Sequence, residues 1–266
     1  MGIIQVWRDK RSDLWAFMRF KICFSGATLA AFSFLLFNDP SSEIIAVIIA
    51  AYALMTAIYT YNMITDKRED LINKGKVNKW VVDYSGSVLS MSFLLLGTLL
   101  SISVDRLPIY TFAALAGFAY SYFRVKEIFP WKNIYTGLLV GLTFLYGAEA
   151  GLPTVLPVFG YLGVSMIFIA ASVVSDLRDY EGDKQARIKT VPVHIGKSNS
   201  RMLFANILGA TSGLMLMTFG IMWIYPALFA IPSIVLAQKE RYHLSHSYIV
   251  MSFITIPLAL FFAQAL

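Results

Sequence analysis

Residues 156–184, LPVFGYLGVSMIFIAASVVSDLRDYEGDK, join a long uncharged stretch to a dense cluster of acids. An α-helix needs about 20 apolar residues to cross the hydrocarbon core of a bilayer, and the part that ends at Ser175 has that length. The first acid, Asp176, follows at once. This segment therefore predicts a transmembrane helix whose end carries several carboxylates.

The rest of the chain is equally apolar. Of its 266 residues, 58% are hydrophobic and 14% are charged, whereas soluble domains have about 25% charged residues. Nine apolar windows follow one another along the chain: Ala16–Phe37, Ile44–Ile64, Trp80–Val104, Leu107–Phe123, Ile134–Gly151, Pro153–Ser175, Met202–Gly220, Ile221–Gln238 and Tyr248–Leu266. We therefore expect an all-α integral membrane protein, with residues 1–266 in a single bundle of about nine transmembrane helices. The polar segments would form a helical and loop cap on one side.

The basic residues predict the orientation of this bundle. Of the 22 Lys and Arg residues, all except Arg106 lie on the same side of a nine-helix arrangement. The positive-inside rule makes that side cytoplasmic. We therefore expect a multi-pass cell-membrane protein with a cytoplasmic N-terminus and cap and an external C-terminus. The net charge of +6 reflects topology and attraction to anionic lipids, because the sequence contains no nucleic-acid-binding motif.

Two cytoplasmic segments carry polar residues at helical spacing. The first, YNMITDKREDLINKGK at residues 61–76, contains what we call the first motif: Asn62, Asp66 and Asp70. The second, DLRDYEGDK at residues 176–184, contains the second motif: Asp176, Asp179 and Asp183. Because helical residues three and four apart lie on the same face, each motif predicts a stripe of oxygen ligands at a helix end.

Carboxylates stacked on one helix face repel one another, so a cation is expected beside them. Mg²⁺ is usually held by one or two carboxylates, while phosphate oxygens and waters complete its coordination. Two facing motifs would hold two Mg²⁺ ions with a diphosphate between them. The predicted catalytic residues are Asp66, Asp70, Asp179 and Asp183. Asn62 and Asp176 are predicted as further metal ligands. The residues predicted to bind the remaining phosphate charge are Lys67, Arg68, Lys184, Arg187 and Lys189.

Both motifs resemble a known family. NMITDKRED is similar to the NxxxDxxxD motif of the UbiA-type intramembrane prenyltransferases, and DLRDYEGDKQARIKTVPVHIG resembles their second motif with its trailing Thr-x-Pro. The resemblance implies Mg²⁺-dependent transfer of a prenyl group from an isoprenyl diphosphate to a lipophilic acceptor, in a cavity open to the bilayer. This chain departs from the family at Met63 and in NKGKVNKW, which leaves the acceptor open between an aromatic quinone precursor and a glyceryl ether lipid.

Further residues are predicted to bind substrate. YSYFRVKEIFPWKNIYTG resembles the family's Tyr-Ser, Lys and Asn-x-x-x-Gly pattern, which implies that Lys126 binds diphosphate and Asn133 lines the pocket. The helix positions of two tyrosines make them predicted walls of a cavity that shields a carbocation: Tyr120 and Tyr146. Arg19 and Lys21 lie inside the first window, where a charge is costly and usually functional.

Two other functions remain as alternatives. A secondary transporter or lipid-binding membrane protein would use buried acids for proton or ion coupling, but it should carry them near the bilayer midplane. A CDP-alcohol phosphotransferase carries the motif DGxxAR, eight residues and GxxxDxxxD. This chain has GDKQAR followed by Gly196, but Ser200 and Phe204 stand where the last two acids belong.

Overall fold

The computed structural model describes residues 13–67, 77–82, 84–148, 154–185, 188–220 and 224–251. Eight helices of 15 or more residues make up most of this part: α1 Phe20–Phe37, α2 Glu43–Thr65, α3 Tyr84–Ser103, α4 Leu107–Tyr122, α5 Trp131–Ala148, α6 Val155–Gln185, α7 Lys197–Phe219 and α8 Ile224–Gln238. Short helices lie at Lys79–Val82 and Val191–Ile195, and residues 13–17 and 242–251 are also helical.

The predicted all-α fold is confirmed in the described residues, which contain no strand. The eight long helices coincide with the first eight apolar windows. Five of them, α1, α2, α3, α6 and α7, are long and apolar enough to cross a membrane. The ninth window lies almost entirely outside the described residues, so the total of nine transmembrane helices stays a prediction.

The bundle has inner and outer helices. In α1, α2 and α6 more than half of the apolar window is buried, whereas α3 and α7 bury about a quarter of theirs and expose apolar side chains. Helices α1 and α5 approach so closely that a Cβ atom at Gly147 would lie 2.0 Å from the carbonyl oxygen of Ala30. Any larger residue at position 147 would push these helices apart.

One end of the bundle carries the described polar residues of both motifs. Helices α2, α4 and α6 end there, and α5 begins there. Helix α6 has 31 residues, about 46 Å at the rise of an α-helix, whereas the hydrocarbon core is about 30 Å thick. Its last ten residues, from Asp176 onward, therefore extend beyond the membrane core. We call this end of the bundle the cap end.

Candidate active site

The first motif is anchored by a hydrogen-bond chain between α2 and α4. The side-chain amide nitrogen of Asn62 donates to Oδ2 of Asp66 across 3.1 Å. The hydroxyl of Ser121, which is buried, donates to Oδ1 of Asn62 across 3.0 Å. These bonds fix the orientation of the Asn62 amide and hold Asp66, the residue that caps α2. Lys67 is exposed, and Asp70 and Arg68 lie outside the described residues.

The second motif begins with a buried ion pair. Asp176 is 2% exposed, and its Oδ1 lies 2.5 Å from the ammonium nitrogen of Lys132. Its Oδ2 accepts a hydrogen bond of 2.8 Å from Asn133, which also donates to the hydroxyl of Ser172 across 3.0 Å. The structure thus engages both oxygens of the predicted metal ligand Asp176 with donors from α5.

The other two acids of the second motif differ from Asp176. Asp179 is exposed and forms a two-bond ion pair with Arg178, at 2.7 and 2.9 Å, which holds the pKa of Asp179 below its usual range. Oδ2 of Asp183 is buried and, within the described residues, has no hydrogen bond of standard geometry; its neighbour is the hydroxyl of Thr190, which favours the charged carboxylate. Burial raises the pKa of Asp183, and the charges of Asp176 and Asp179 raise it further, whereas Lys132 and the Thr190 hydroxyl lower it.

A row of polar groups crosses the bundle and ends at the second motif. The guanidinium of Arg19 lies 5.4 Å from the ring centre of Tyr59. Tyr59 interacts electrostatically with Tyr120, and Tyr120 and Asp183 both interact with Lys132. The ring of Tyr120 also lies 5.5 Å from that of Tyr135, centre to centre. The row therefore runs from α1 through α2, α4 and α5 to α6, and it includes three predicted site residues: Arg19, Tyr120 and Asp183.

Tyr146 is not part of this site. It is fully buried, and its hydroxyl lies 2.9 Å from that of Ser101. Its carbonyl oxygen accepts a hydrogen bond of 3.0 Å from the buried Arg106, which begins α4 at the opposite end of the bundle. About thirteen helix residues separate Tyr146 from Asn133, which corresponds to about 20 Å. The structure therefore places Tyr146 near the end opposite the cap, and its role as a cavity wall stays a prediction.

The remaining predicted cations lie around the cap end. Lys21 is exposed on α1, and Lys184 lies 5.8 Å from the ring centre of Tyr180. Lys189 is exposed beside Thr190. Arg187 and the side chain of Lys126 lie outside the described part of the chain.

Two cavities border the site. One of about 490 Å³ lies between α2, α3 and α4 and is almost entirely apolar; its lining residues are Tyr61, Ile64, Ser87, Ser90, Met91, Leu94, Phe118, Ala119 and Tyr122. The other, of about 460 Å³, lies at the cap surface between Glu127–Phe129 and the loop that follows the second motif; that loop contributes Lys189, Val193 and His194. The site therefore adjoins an apolar space on the first-motif side and a charged one on the second-motif side.

Three polar residues of the site were not predicted: Ser121, Lys132 and Ser172. Lys132 carried a signal in the sequence, since it directly precedes Asn133, but a basic residue at a membrane boundary is ordinarily a topology signal. Ser121 also carried a signal, since it is the serine of the Tyr-Ser pair that resembles the family pattern. Ser172 gains its role from α5, and nothing in its local sequence distinguishes it from other serines.

The donor set fits Mg²⁺. The acids and amides supply only oxygen ligands at the two motifs, and the unsatisfied Oδ2 of Asp183 is a free acceptor. Among the described residues, no three His, Cys, Asp or Glu side chains meet around one point. That arrangement suits an ion whose coordination is completed by phosphate oxygens and waters, and it does not suit a protein cage such as a structural zinc site.

The near match to the CDP-alcohol phosphotransferase motif has no support in the structure. Ser200 and Phe204, at the positions of that motif's last acids, are fully buried in α7. They face the hydrophobic core and not an open site.

Comparison with known proteins gives consistent matches. The family model described as "UbiA prenyltransferase family" matches residues 22–248. The chain is 26% identical to the digeranylgeranylglyceryl phosphate synthase of Methanocaldococcus jannaschii over 215 residues, covering 76% of this chain and 74% of that protein. It is also 26% identical to the enzyme of that name from Pyrococcus horikoshii over 187 residues, covering 64% of this chain and 62% of the relative. The alignment thus spans less than two thirds of the Pyrococcus protein.

Solved structures share the fold. A UbiA homologue from Aeropyrum pernix superposes with a TM-score of 0.79 at 17% identity, covering 93% of this chain and 99% of the other. A UbiA homologue from Archaeoglobus fulgidus, solved bound to GPP and Mg²⁺, gives a TM-score of 0.70 at 17% identity, covering 94% and 97%. With the family match over most of its length and five helices able to cross a bilayer, this multi-pass membrane chain belongs to the UbiA prenyltransferase family.

Proposed function

We propose that the protein transfers a prenyl group from an isoprenyl diphosphate, such as geranylgeranyl diphosphate, to a lipophilic acceptor. The observation that carries this proposal is the meeting of carboxylates and Lys132 at one end of an apolar bundle, where Asp183 has an unsatisfied oxygen. The Archaeoglobus neighbour supports an allylic diphosphate as the donor. The names of the relatives favour a glyceryl ether lipid over an aromatic quinone precursor as the acceptor.

Mg²⁺, with two ions proposed, would be held by Asn62, Asp66 and Asp70 on one side and by Asp179 and Asp183 on the other. When bound, it would neutralise the charge that grows on the departing diphosphate. Further positive charge around the diphosphate is proposed to come from six cations: Arg19, Lys67, Lys126, Lys184, Arg187 and Lys189. Asn62 is already oriented for this role, because Ser121 and Asp66 hold its amide from two sides.

The chain's apolar interior accounts for the rest of the chemistry. Breaking the allylic C–O bond leaves its electron pair on the diphosphate and a carbocation on the prenyl group, which water would quench. The rings of Tyr120 and Tyr135 lie 5.5 Å apart, centre to centre, within the row of polar groups, and aromatic faces stabilise cations. The hydroxyl oxygen of the acceptor would then form the new C–O bond, and its proton would pass to an oxygen of the released diphosphate. The bundle thus excludes water while the cap end binds the charged leaving group.

This function is tested by incubating the purified protein with Mg²⁺, labelled geranylgeranyl diphosphate and a panel of acceptors that includes geranylgeranylglyceryl phosphate and 4-hydroxybenzoate. We expect a labelled ether-lipid product. Transfer to the aromatic acid alone would replace the proposed acceptor, and no transfer to any acceptor would contradict the function itself.

We place the donor's hydrocarbon chain in the apolar cavity. Its wall residues Tyr61 and Ala119 directly neighbour Asn62 and Tyr120, so a chain leaving the diphosphate site meets this space first. The hydroxyl of Ser90, one of its few polar groups, already donates to the carbonyl oxygen of Ala57 across 2.9 Å. A hydrocarbon can therefore occupy the cavity without leaving the hydroxyl of Ser90 unpaired.

Ala119→Phe should fill part of this cavity. We expect kcat/KM for geranylgeranyl diphosphate to fall roughly 10-fold or more, because several methylenes lose their contacts at about 0.8 kcal/mol each. Turnover of dimethylallyl diphosphate should change little. Leu115→Phe, at a lipid-facing position of the same helix, is the matched control. Equal losses for the short and long donors would place the chain elsewhere.

We also propose that the cap end is cytoplasmic. The native thiol, Cys23, is buried and should not react with impermeant reagents. A cysteine at the exposed Asn199, at the cap end, should be labelled only from the cytoplasmic side, and one at the exposed Asp39, at the opposite end, only from outside. The reverse labelling pattern would overturn this orientation.

A further inference from the structure

Each carboxylate oxygen of Asp176 accepts from a protein donor on α5. Oδ1 contacts the ammonium of Lys132 at 2.5 Å, and Oδ2 accepts from Asn133 at 2.8 Å. Asn133 is held in turn by Ser172 at 3.0 Å. A divalent cation coordinated to the same carboxylate would lie within a few ångströms of the ammonium and be repelled by it. Asp176 thus differs from Asp183, whose Oδ2 has no hydrogen bond within the described residues, and from Asp179, whose pair with Arg178 is exposed to water and can give way to a metal.

A buried ion pair of this kind needs a reason other than stability. Removing two charges from water costs so much that buried pairs often contribute little to the free energy of folding. The pair instead fixes the position of the Lys132 ammonium. The side chain of Lys132 is 30% exposed although that of Asp176 is only 3% exposed, so the ammonium reaches out of the protein interior towards the site.

Lys132 is also placed to bind a ligand. An ammonium has three N–H donors, and in the described part of the chain the only hydrogen bond of the Lys132 ammonium is the one to Asp176. Its other donors are therefore available. The group interacts electrostatically with Tyr120 and Asp183, which belong to the row of polar groups that crosses the bundle to the second motif.

We infer that Lys132 binds an oxygen of the diphosphate and that Asp176 is a positioning residue for Lys132, not a metal ligand. This inference rests on the proposed function, since it assumes that a diphosphate occupies the cap end. It divides the second motif into two parts. Asp179 and Asp183 bind the metal, whereas Asp176 positions Lys132, which neutralises part of the charge on the departing diphosphate.

The test measures binding and needs no turnover. The probe is inorganic pyrophosphate, titrated calorimetrically into detergent-solubilised protein at saturating Mg²⁺, followed by Mg²⁺ titration at saturating pyrophosphate. We expect Lys132→Met to raise the Kd of pyrophosphate about 10- to 100-fold, the range for loss of a charge-assisted hydrogen bond. The Mg²⁺ concentration for half-saturation should stay within about twofold of wild type. Lys132→Arg should recover part of the affinity, which a role in packing alone would not require.

Asp176→Asn separates positioning from metal binding. Like Lys132→Met, it should raise the Kd of pyrophosphate, by about 3- to 10-fold, but it should leave the Mg²⁺ concentration for half-saturation unchanged. Asp179→Asn should instead raise that Mg²⁺ concentration strongly. A rise for Asp176→Asn equal to that for Asp179→Asn would make Asp176 a metal ligand and overturn the inference. An affinity for pyrophosphate equal to that of the wild type in Lys132→Met would also overturn the inference.

Folding and charge are controlled separately. Asp176→Asn leaves Lys132 without its counter-charge and could reduce stability, so its melting temperature is measured beside that of Lys132→Met/Asp176→Asn, which removes both charges. Because the two residues act as one unit, the double variant should bind pyrophosphate like Lys132→Met alone. Additive losses would contradict this coupling. Lys239→Met, an exposed lysine at the same end, controls for net charge. Failure of the wild type to bind pyrophosphate would instead count against the proposed function.

Discussion

Alanine at Asp66 or Asp179 is expected to abolish prenyl transfer, with a fall in kcat/KM of roughly 10²- to 10³-fold, the size found when a preorganised transition-state contact is lost. Each residue belongs to a different motif and neither carboxylate is buried, so each is accessible to a metal and diphosphate. The assay is product formation from labelled geranylgeranyl diphosphate at saturating Mg²⁺. Wild-type turnover in either variant would remove that residue from the catalytic centre.

These variants should remain folded. Asp179 is exposed and its partner Arg178 is its chain neighbour, so its loss removes a surface ion pair, which contributes about 0–1 kcal/mol. Asp66 accepts one hydrogen bond of 3.1 Å from Asn62, so Asp66→Asn, which retains an acceptor, separates the loss of charge from the loss of that bond. Asp39→Ala, at the opposite end, should have wild-type activity and melting temperature.

The position of the site was predictable because it depends on local features. The sequence from Leu156 to Lys184 has the length of a membrane helix followed by acids, and the structure continues α6 through that boundary to Gln185. Likewise, the four-residue spacing of Asn62 and Asp66 predicts that they face each other at the end of α2, and their side chains are hydrogen-bonded. Helical periodicity alone contains this information.

The division of labour within the second motif was not predictable in this way. The spacing of Asp176, Asp179 and Asp183 places them on one face, but their environments differ by depth along α6. Asp176 lies one turn nearer the membrane, where α5 covers it with donors 43 and 44 residues away in the chain. A pattern within one helix says nothing about which neighbour covers which turn.

A pattern within one helix also could not show at which end of the bundle Tyr146 lies. Tyr120 and Tyr146 both lie in apolar windows of the sequence. Only the packing shows that Tyr120 lies near the cap end and that Tyr146 lies near Arg106. The acceptor is a related case, because only residues 77–80 of the segment that departs from the family pattern, NKGKVNKW at 73–80, belong to the described structure.

Removal of Mg²⁺ with EDTA is expected to abolish both prenyl transfer and the binding of pyrophosphate, and added Mg²⁺ should restore both. Pyrophosphate alone would bring negative charge towards Asp179 and Asp183, and Mg²⁺ alone would lack the phosphate oxygens that complete its coordination. Each ligand should therefore tighten the binding of the other by the same factor, because coupling between two binding sites is reciprocal.

The measurement is the melting temperature in detergent with neither ligand, with each alone and with both. A ligand pair present at about 100 times its Kd stabilises the folded state by about 2.7 kcal/mol, which corresponds to a rise of about 5–10 °C in a chain of this size. Each ligand alone should give a small fraction of that rise. The double variant Asp179→Asn/Asp183→Asn should lose the joint effect while keeping the melting temperature of the ligand-free protein or exceeding it, since it removes two mutually repelling charges. Equal stabilisation by pyrophosphate with and without Mg²⁺ would mean that the cations of the cap end, Lys132 foremost, bind the diphosphate unaided and that the acids have a structural role.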